Sequence, residues 1–491
     1  VAADHDRCGH GLGVVGGRGD EPCGRGPLVT TQIVDLAIIG SGGGNSIPDE
    51  RFDDTSIAIF EEGVYGGTCL NVGCIPTKMF VYSAEVADTV REAESYGVHA
   101  RVTAVDWPSI VKRIFGRIDP ISAGGKEYRV DRCPNITVYP SHVEFDGRDE
   151  AGLYRLVTAD AEVRAREVVL AAGSRATVPS ALADSAVRYH TNDDVMRLES
   201  LPKHLIIIGS GYIAAEFAHV FGSLGSRVSI LARGPALLRK LERDVSLHFT
   251  DIAREKWDVH LNAEVIGAED RSDGGVRVSL KDGTHVDGDV LLVATGRRPN
   301  GDRLNLSSVG IDLDDEGRVV CDRYGRTSAE RVWTFGDVSS PYQLKHVANH
   351  EGRVVQANLL KGWDAADLDT FDHRFVPAAV FTHPQIACVG LTEEEALERG
   401  LDITVKIQDY GDVAYGWAME DTTGFCKLIA ERKTGRLLGC HILGPQAPTV
   451  IQPVIQAMSF GLDARAMARG QYWIHPAMPE VLENALLGLH I

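Results

Sequence analysis

The apolar run Ile33–Ile39 stops at a glycine cluster, Gly40–Gly44, and a second short run, Ser56–Phe60, stops at Glu61. Alternating and continuous apolar stretches bounded by glycine predict a strand, a glycine turn, a helix and a second strand. About 170 residues later the pattern returns in one unbroken unit, HLIIIGSGYIAAEFAHVFGSLGSRVSILAR. Two nucleotide-binding units of the doubly wound α/β type are therefore expected. Between them, helical periodicity covers about Met79–Tyr96 and Trp107–Tyr128, followed by short alternating segments up to the AAGSR turn at Ala171–Arg175. Beyond the second unit, LLVATGRRPN (Leu291–Asn300) and VWTFGDVSSP (Val332–Pro341) each end an apolar strand on glycine, as a chain returning to the first unit would. From about Thr370 mixed strands and helices follow without a glycine-rich phosphate turn, and they define a third domain.

Composition narrows the function. The 491 residues carry 69 acidic and 50 basic side chains, a net charge of -19, which repels a phosphate backbone, so nucleic acid is not an expected partner. No stretch supplies about 20 uninterrupted apolar residues, so no membrane span is expected. Nine cysteines, an odd number in a long chain, fit a reducing cytoplasm better than a secreted disulfide scaffold. No basic and apolar leader opens the chain. Residues 1–28, rich in glycine and polar residues without an apolar period, read as a tail, with Val29 a candidate start.

The first turn offers Gly40 and Gly42 for close approach to a pyrophosphate, and Glu61, 21 positions after Gly40, as an acceptor for ribose hydroxyls. Asn45 stands in the third glycine slot. An ordinary strand-to-helix turn is the alternative. The second turn has Gly209, Gly211 and Ala214, but Arg233 stands 24 positions after Gly209 where a ribose-binding acid belongs, and Arg239 follows. Cations there suit a 2′-phosphate, hence NADPH rather than NADH; two solvated arginines are the alternative.

The most specific segment is GGTCLNVGCIPTK, Gly66–Lys78, with Cys69 and Cys74 separated by four residues. Thiols this close can form a disulfide and exchange it. Zinc is disfavoured because the other cysteines outside the tail stand singly, and no metal site is expected. Near the end of the chain, WIHPAMPE puts His475 five residues before Glu480, a base with an orienting carboxylate or a surface pair.

Together these segments resemble the FAD-dependent pyridine nucleotide–disulfide oxidoreductases, the family of glutathione reductase, dihydrolipoamide dehydrogenase and mercuric reductase. The resemblance runs from about Gln32 to Leu489 and rests on GGTCLNVGCIPTK, GSGYIAAEFA, FGDVSSP, FTHPQIACVGLTEEEA and IHPAMPE, in that order. It implies an α/β fold of two Rossmann-like domains, for FAD (31–178 and 296–368) and NADPH (179–295), with an α+β dimerisation domain (369–491); residues 1–30 form a disordered or non-native tail. It implies a redox-active Cys69–Cys74 disulfide, with Cys74 against the flavin and Cys69 attacking substrate. Lys78 pairs with Glu216 near the flavin, and His475 and Glu480 come from the partner subunit of a homodimer. FAD contacts are implied for Gly40, Gly42, Glu61, Gly67, Thr68, Asp337 and His346. NADPH contacts are implied for Gly209, Gly211, Ala214, Arg233, Arg239 and Gly296, with Tyr212 as a movable lid. The substrate class is a low-molecular-weight disulfide. The resemblance in IFGRIDPI, LKHVANHE and KIQDYGDVAYGWAMEDT implies, within that class, the disulfide of a cysteinyl pseudo-disaccharide, with Arg117 and Asp119 as candidate contacts. Glutathione disulfide and dihydrolipoamide are the alternatives.

Overall fold

The computed structural model describes residues 31–491, so the expected tail and the candidate start at Val29 lie outside the described residues. In the first sheet, β1 (Thr31–Ile39) is central, with parallel β2 (Ile57–Phe60) on one side. After β2 come α1 (Gly67–Asn71), α2 (Cys74–Glu92), α3 (Trp107–Arg132) and β3 (Ile136–Tyr139), which extends the sheet beyond β2. The chain then forms β4 (Glu144–Arg148), β5 (Tyr154–Val157) and β6 (Glu162–Leu170), and β6 closes on the other flank of β1. β4 and β5 join antiparallel. The C-terminal half of β1 and all of β2 are buried, as strands covered on both faces must be. The strand order reverses at β1, and open α/β sheets bind ligands in the crevice beyond such a point.

The helix expected after the first glycine turn is absent. Two short 3-10 turns, Gly44–Ser46 and Glu50–Phe52, fill the connection instead. Pro48 and the charged run Asp49–Asp54 give it neither an amide donor at a key position nor an apolar stripe. Arg129 of α3 holds this loop, donating to Asn45 Oδ1 (2.9 Å), Asn45 O (2.8 Å) and Pro48 O (3.0 Å), while Tyr65 Oη donates to Asn45 Oδ1 (2.7 Å). Asn45, in the third glycine slot, is thus an anchor for the loop.

The second parallel sheet contains β7 (His204–Ile208), then α4 (Tyr212–Leu224), β8 (Arg227–Leu231), α5 (Arg243–Lys256), β9 (Asp258–His260) and β10 (Val290–Val293), in the strand order β9-β8-β7-β10. The run expected to return to the first unit at Leu291 is therefore the fourth strand of the second. The return follows it: Arg297–Pro299 pairs with Ser174–Ala176, and β11 (Val332–Thr334) joins β6. Then comes α6 (Lys345–Lys361).

The last part is a five-stranded antiparallel sheet of β12 (Ala378–Val380), β13 (Ile386–Gly390), β14 (Ile403–Asp409), β15 (Phe425–Glu431) and β16 (Leu437–Leu443), in the order β12-β13-β16-β15-β14. Helix α7 (Glu480–Leu487) buries Val481, Leu482, Ala485 and Leu486 on it. Two seams tie the parts together. Stacked rings of Phe80, Trp107 and Phe221, with centroids 5.1 and 5.2 Å apart, join α2, α3 and α4. Lys427 of β15, 2% exposed, lies 2.7 Å from Glu242 and 2.6 Å from both Asp244 and Glu393, bridging the second unit to the last sheet. Among the described residues no helix is long and apolar enough to cross a membrane.

Candidate active site

A cavity of about 600 Å³ opens beyond β1. Its wall includes Gly40, Gly42, Glu61, Gly67, Thr68, Cys69, Cys74, Lys78, Tyr212, Glu216 and Asp337, so eleven residues singled out from sequence meet in one place. Glycine is required where backbones cross. A Cβ on Gly40, at φ +101°, would sit 2.3 Å from Ala171 O, and one on Gly67, at φ +72°, 2.5 Å from Gly42 Cα. Glu61 is oriented by Ser41, whose N–H and Oγ donate to Oε2 at 2.9 and 2.6 Å, and by Gly63 N–H to Oε1 at 2.9 Å. Asp337 accepts from Ser174 Oγ at 2.7 Å. This wall suits FAD: exposed glycine backbone for a pyrophosphate, carboxylates for sugar hydroxyls, and a cation beside two thiols for the reactive ring.

Cys69 lies in α1 and Cys74 opens α2, and both line the same cavity. Gly73 makes the tight link between the helices, since a Cβ there would be 2.9 Å from Thr68 O. The hydrogen bond from Cys69 lowers the Cys74 thiol to about 6, aided by Lys78 and opposed by burial. The same bond, with burial, pushes Cys69 well up; the charges of Lys345 and Lys78 act against it. One thiol holds charge while the other holds the proton.

Lys78 Nζ donates to Glu216 Oε1 and Oε2 at 2.8 and 2.7 Å, and Glu216 is 3% exposed. Phe381, at the entry to the last sheet, donates its N–H to Glu216 Oε1 at 3.0 Å and sets its ring 4.8 Å from Lys78 Nζ. The seam continues outward, where Gln385 meets Glu85 at 3.0 Å and His383 meets Glu92 at 2.9 Å. Tyr212 opens α4 at the cavity wall, and burial raises its phenol to about 12.

The remaining expected residues lie elsewhere. His475 Nδ1 is 2.7 Å from Glu480 Oε1, and Ala477 N–H donates to Glu480 Oε2 at 3.2 Å, but the histidine is 71% exposed and does not line the cavity of its own chain. His346 also stays off the wall, with Nε2 2.8 Å from Pro377 O, while its neighbour Lys345 faces in. Successive helical residues point about 100° apart, so α6 can present only one of the two. Gly209, at φ +143°, closes on Ala294, whose carbonyl oxygen would lie 2.2 Å from a Cβ. Gly211 precedes α4 without a side-chain cap, leaving helix N–H groups free for a phosphate, and Ala214 is buried. Arg233 and Arg239 are exposed and make no ion pair or hydrogen bond among the described residues, with the Arg239 guanidinium against Gly234. Gly296, at φ +135°, turns the chain so that Arg297 reaches the cavity. Asp119 is tied to Arg197 at 2.6 Å, and Arg117 lies in a separate surface hollow with Lys112 and Arg113. Sequence reading missed two cavity residues, Arg297 and Lys345; both stand within segments already noted, ATGRRPN and LKHVANHE.

The chain belongs to the pyridine nucleotide-disulphide oxidoreductases: residues 34–352 match that family and residues 376–486 its dimerisation domain. It is an oxidoreductase acting on a disulfide, with FAD and NADPH as cofactors. Over 93% of its length it is 59% identical to the whole of mycothione reductase from Mycobacterium tuberculosis. Glutathione reductase from Burkholderia cepacia is 31% identical over 91% of this chain and 97% of that protein. Among solved structures, the HOCl-induced flavoprotein disulfide reductase RclA from Escherichia coli superposes with a TM-score of 0.80 at 28% identity, covering 92% of this chain and 99% of that one.

Proposed function

We propose that this chain is an NADPH-dependent reductase of mycothione, the disulfide of mycothiol, working as a homodimer in a reducing cytoplasm. One observation carries the chemistry: two neighbouring thiols share the wall of a dinucleotide-sized cavity with an ion-paired lysine. The substrate is supported by the 59% identity along the whole of the mycothione reductase relative. NADPH is supported by Arg233 and Arg239, exposed cations beyond β8 without an ion-pair partner among the described residues.

FAD supplies the two-electron relay between NADPH and the Cys69–Cys74 disulfide. In the reading proposed here Gly40, Gly42, Glu61, Gly67, Thr68 and Asp337 bind it, Tyr212 covers the nicotinamide pocket, and Lys78, set by Glu216, holds positive charge at the reactive end. Gly209, Gly211, Ala214 and Gly296 shape the NADPH site. Cys74 lies against the cofactor and keeps the thiolate; Cys69 lies farther out. Once the dithiol has formed, Cys69 gives up its proton to His475 of the partner subunit, and its sulfur attacks one sulfur of the substrate. The substrate S–S bond breaks, and the leaving thiolate takes that proton. The Cys74 thiolate then attacks Cys69 Sγ, restoring the protein disulfide and freeing the second thiolate, which is protonated from solvent. Donation of His475 and Glu480 across a two-fold interface is supported by the exposure of His475 and of its neighbours Tyr472 and Ile474.

Steady-state NADPH oxidation by FAD-loaded enzyme tests this, with mycothione and glutathione disulfide at equal concentrations. A large preference for mycothione is expected. Turnover of glutathione disulfide alone overturns the substrate, and flavin reduction without turnover of either overturns the function.

A further inference from the structure

We propose that Lys345 is a second cation of the thiol site, one that stabilises the Cys69 thiolate as it forms for attack on substrate. The proposal rests on the reading of Cys69 as the attacking thiol.

Helix stability does not account for Lys345. It is the first residue of α6, a 17-residue helix whose cap, Leu344, bonds no amide and whose first turn holds no acid. Helix N-termini favour negative charge, so a lysine there works against the helix dipole. No hydrogen bond or ion pair offsets this, since Lys345 makes none among the described residues. Its side chain is half-buried and lines the cavity that holds Cys69 and Cys74.

Lys78 cannot serve the same purpose. Its ammonium is gripped by both oxygens of Glu216, so the pair presents little net charge to the thiols. The hydrogen bond that acidifies Cys74, together with the burial of Cys69, leaves Cys69 holding the shared proton, and Cys69 is the sulfur that must lose it. Of the charges opposing that hold, Lys345 acts more strongly than Lys78. The charged and titratable groups of the cavity wall besides Cys69 are Cys74 and Lys78 of α2, Tyr212 and Glu216 of α4, Lys345 of α6, and Glu61, Glu62, His142, Arg175, Asp193, Arg297, Arg303 and Asp337. The proposed dimer adds His475 of the partner subunit. Lys345 is the lysine of this set without a carboxylate bound to it.

The test uses FAD-loaded enzyme reduced with dithiothreitol, pulsed with iodoacetamide across a pH series, with labelled peptides mapped by mass spectrometry. In the FAD-loaded native protein the cofactor covers Cys74, so Cys69 is expected to label first, as rising pH forms its thiolate. In Lys345→Met its half-labelling pH is expected to rise by about one unit, with labelling about tenfold slower at neutral pH. Lys345→Arg is expected to restore the native profile to within about twofold. An unchanged Cys69 profile in Lys345→Met overturns the proposal, as does an arginine variant that behaves like the methionine one. If the methionine variant loses FAD, Lys345→Gln and Lys345→Arg decide by the same pulses: a one-unit gap between them supports the proposal, and coincident profiles overturn it. Labelling of Cys74 before Cys69 in the native protein overturns the underlying reading instead, so the two failures are told apart.

Discussion

Replacing Lys78 by methionine keeps the length of the side chain and removes its charge. Glu216, 3% exposed, loses two bonds of 2.7 and 2.8 Å and keeps the Phe381 N–H at 3.0 Å as its one partner among the described residues. Removing one member of a buried ion pair costs about 3–5 kcal/mol, chiefly because a buried charge is left uncompensated. The carboxylate has an escape, because it can take up a proton. That costs about 1.4 kcal/mol per pH unit above the ordinary glutamate value of about 4.3, so it caps the charge penalty near 5 kcal/mol at pH 8 and below about 2 kcal/mol at pH 5.5. The sign follows from linkage: in the variant, the folded state holds the proton more tightly than the unfolded chain, so stability is present at low pH and is lost as pH rises. Lys78→Met is therefore expected to be destabilised by about 4–5 kcal/mol at pH 8 and by about 2 kcal/mol at pH 5.5. Urea unfolding of FAD-loaded protein at both pH values, followed by far-ultraviolet circular dichroism and flavin fluorescence, measures the difference from midpoint and slope. An equal loss at both pH values, or one below about 1 kcal/mol at pH 8, refutes the reasoning.

Four further outcomes are expected. Cys69→Ser should lower disulfide turnover by more than about a thousandfold while NADPH still reduces the flavin, and retained turnover contradicts the role of this sulfur. Arg233→Glu should raise the KM for NADPH about tenfold to a hundredfold without raising that for NADH, the loss of one charge-assisted bond of about 1.5–3 kcal/mol; equal effects on both nucleotides point away from the 2′-phosphate. Glu480→Gln should slow turnover by roughly a hundredfold and spare flavin reduction, as measured by stopped flow. The ultraviolet absorbance of the thiolate in dithiol-reduced enzyme should be present at neutral pH and fall as pH drops through about 6, the value set for Cys74 by the Cys69 hydrogen bond; an inflection near 8.5 would remove that assignment.

The parts of the site readable from sequence are those whose chemistry is local. GGTCLNVGCIPTK fixes a thiol within one short helix and another at the start of the next, and GSGYIAAEFA carries both a phosphate turn and the buried Glu216. The shortened connection after Gly42 was not readable, because the residue that holds it, Arg129, lies 84 positions beyond Asn45. Nor was Arg297, whose place depends on Ser174, 123 positions earlier, accepting from Nε at 2.8 Å. Between Lys345 and His346 the chain pattern does not choose, since the rotation of α6 is set by the packing of Val347, Val354 and Val355. The strand at Val290–Val293 looks like a return to the first unit because apolar runs before glycine are alike in both sheets; its partner His204–Ile208 is known only from the register.

Phe381 gives the molecule a property that no single domain has. Its N–H fixes Glu216 and its ring faces Lys78, yet it belongs to the segment that leads into the dimerisation sheet. Seating that sheet and setting the charge at the cavity wall are therefore one conformational event. By linkage, whatever free energy the seated sheet contributes to holding Glu216 and Lys78, that pair returns to the seating of the sheet.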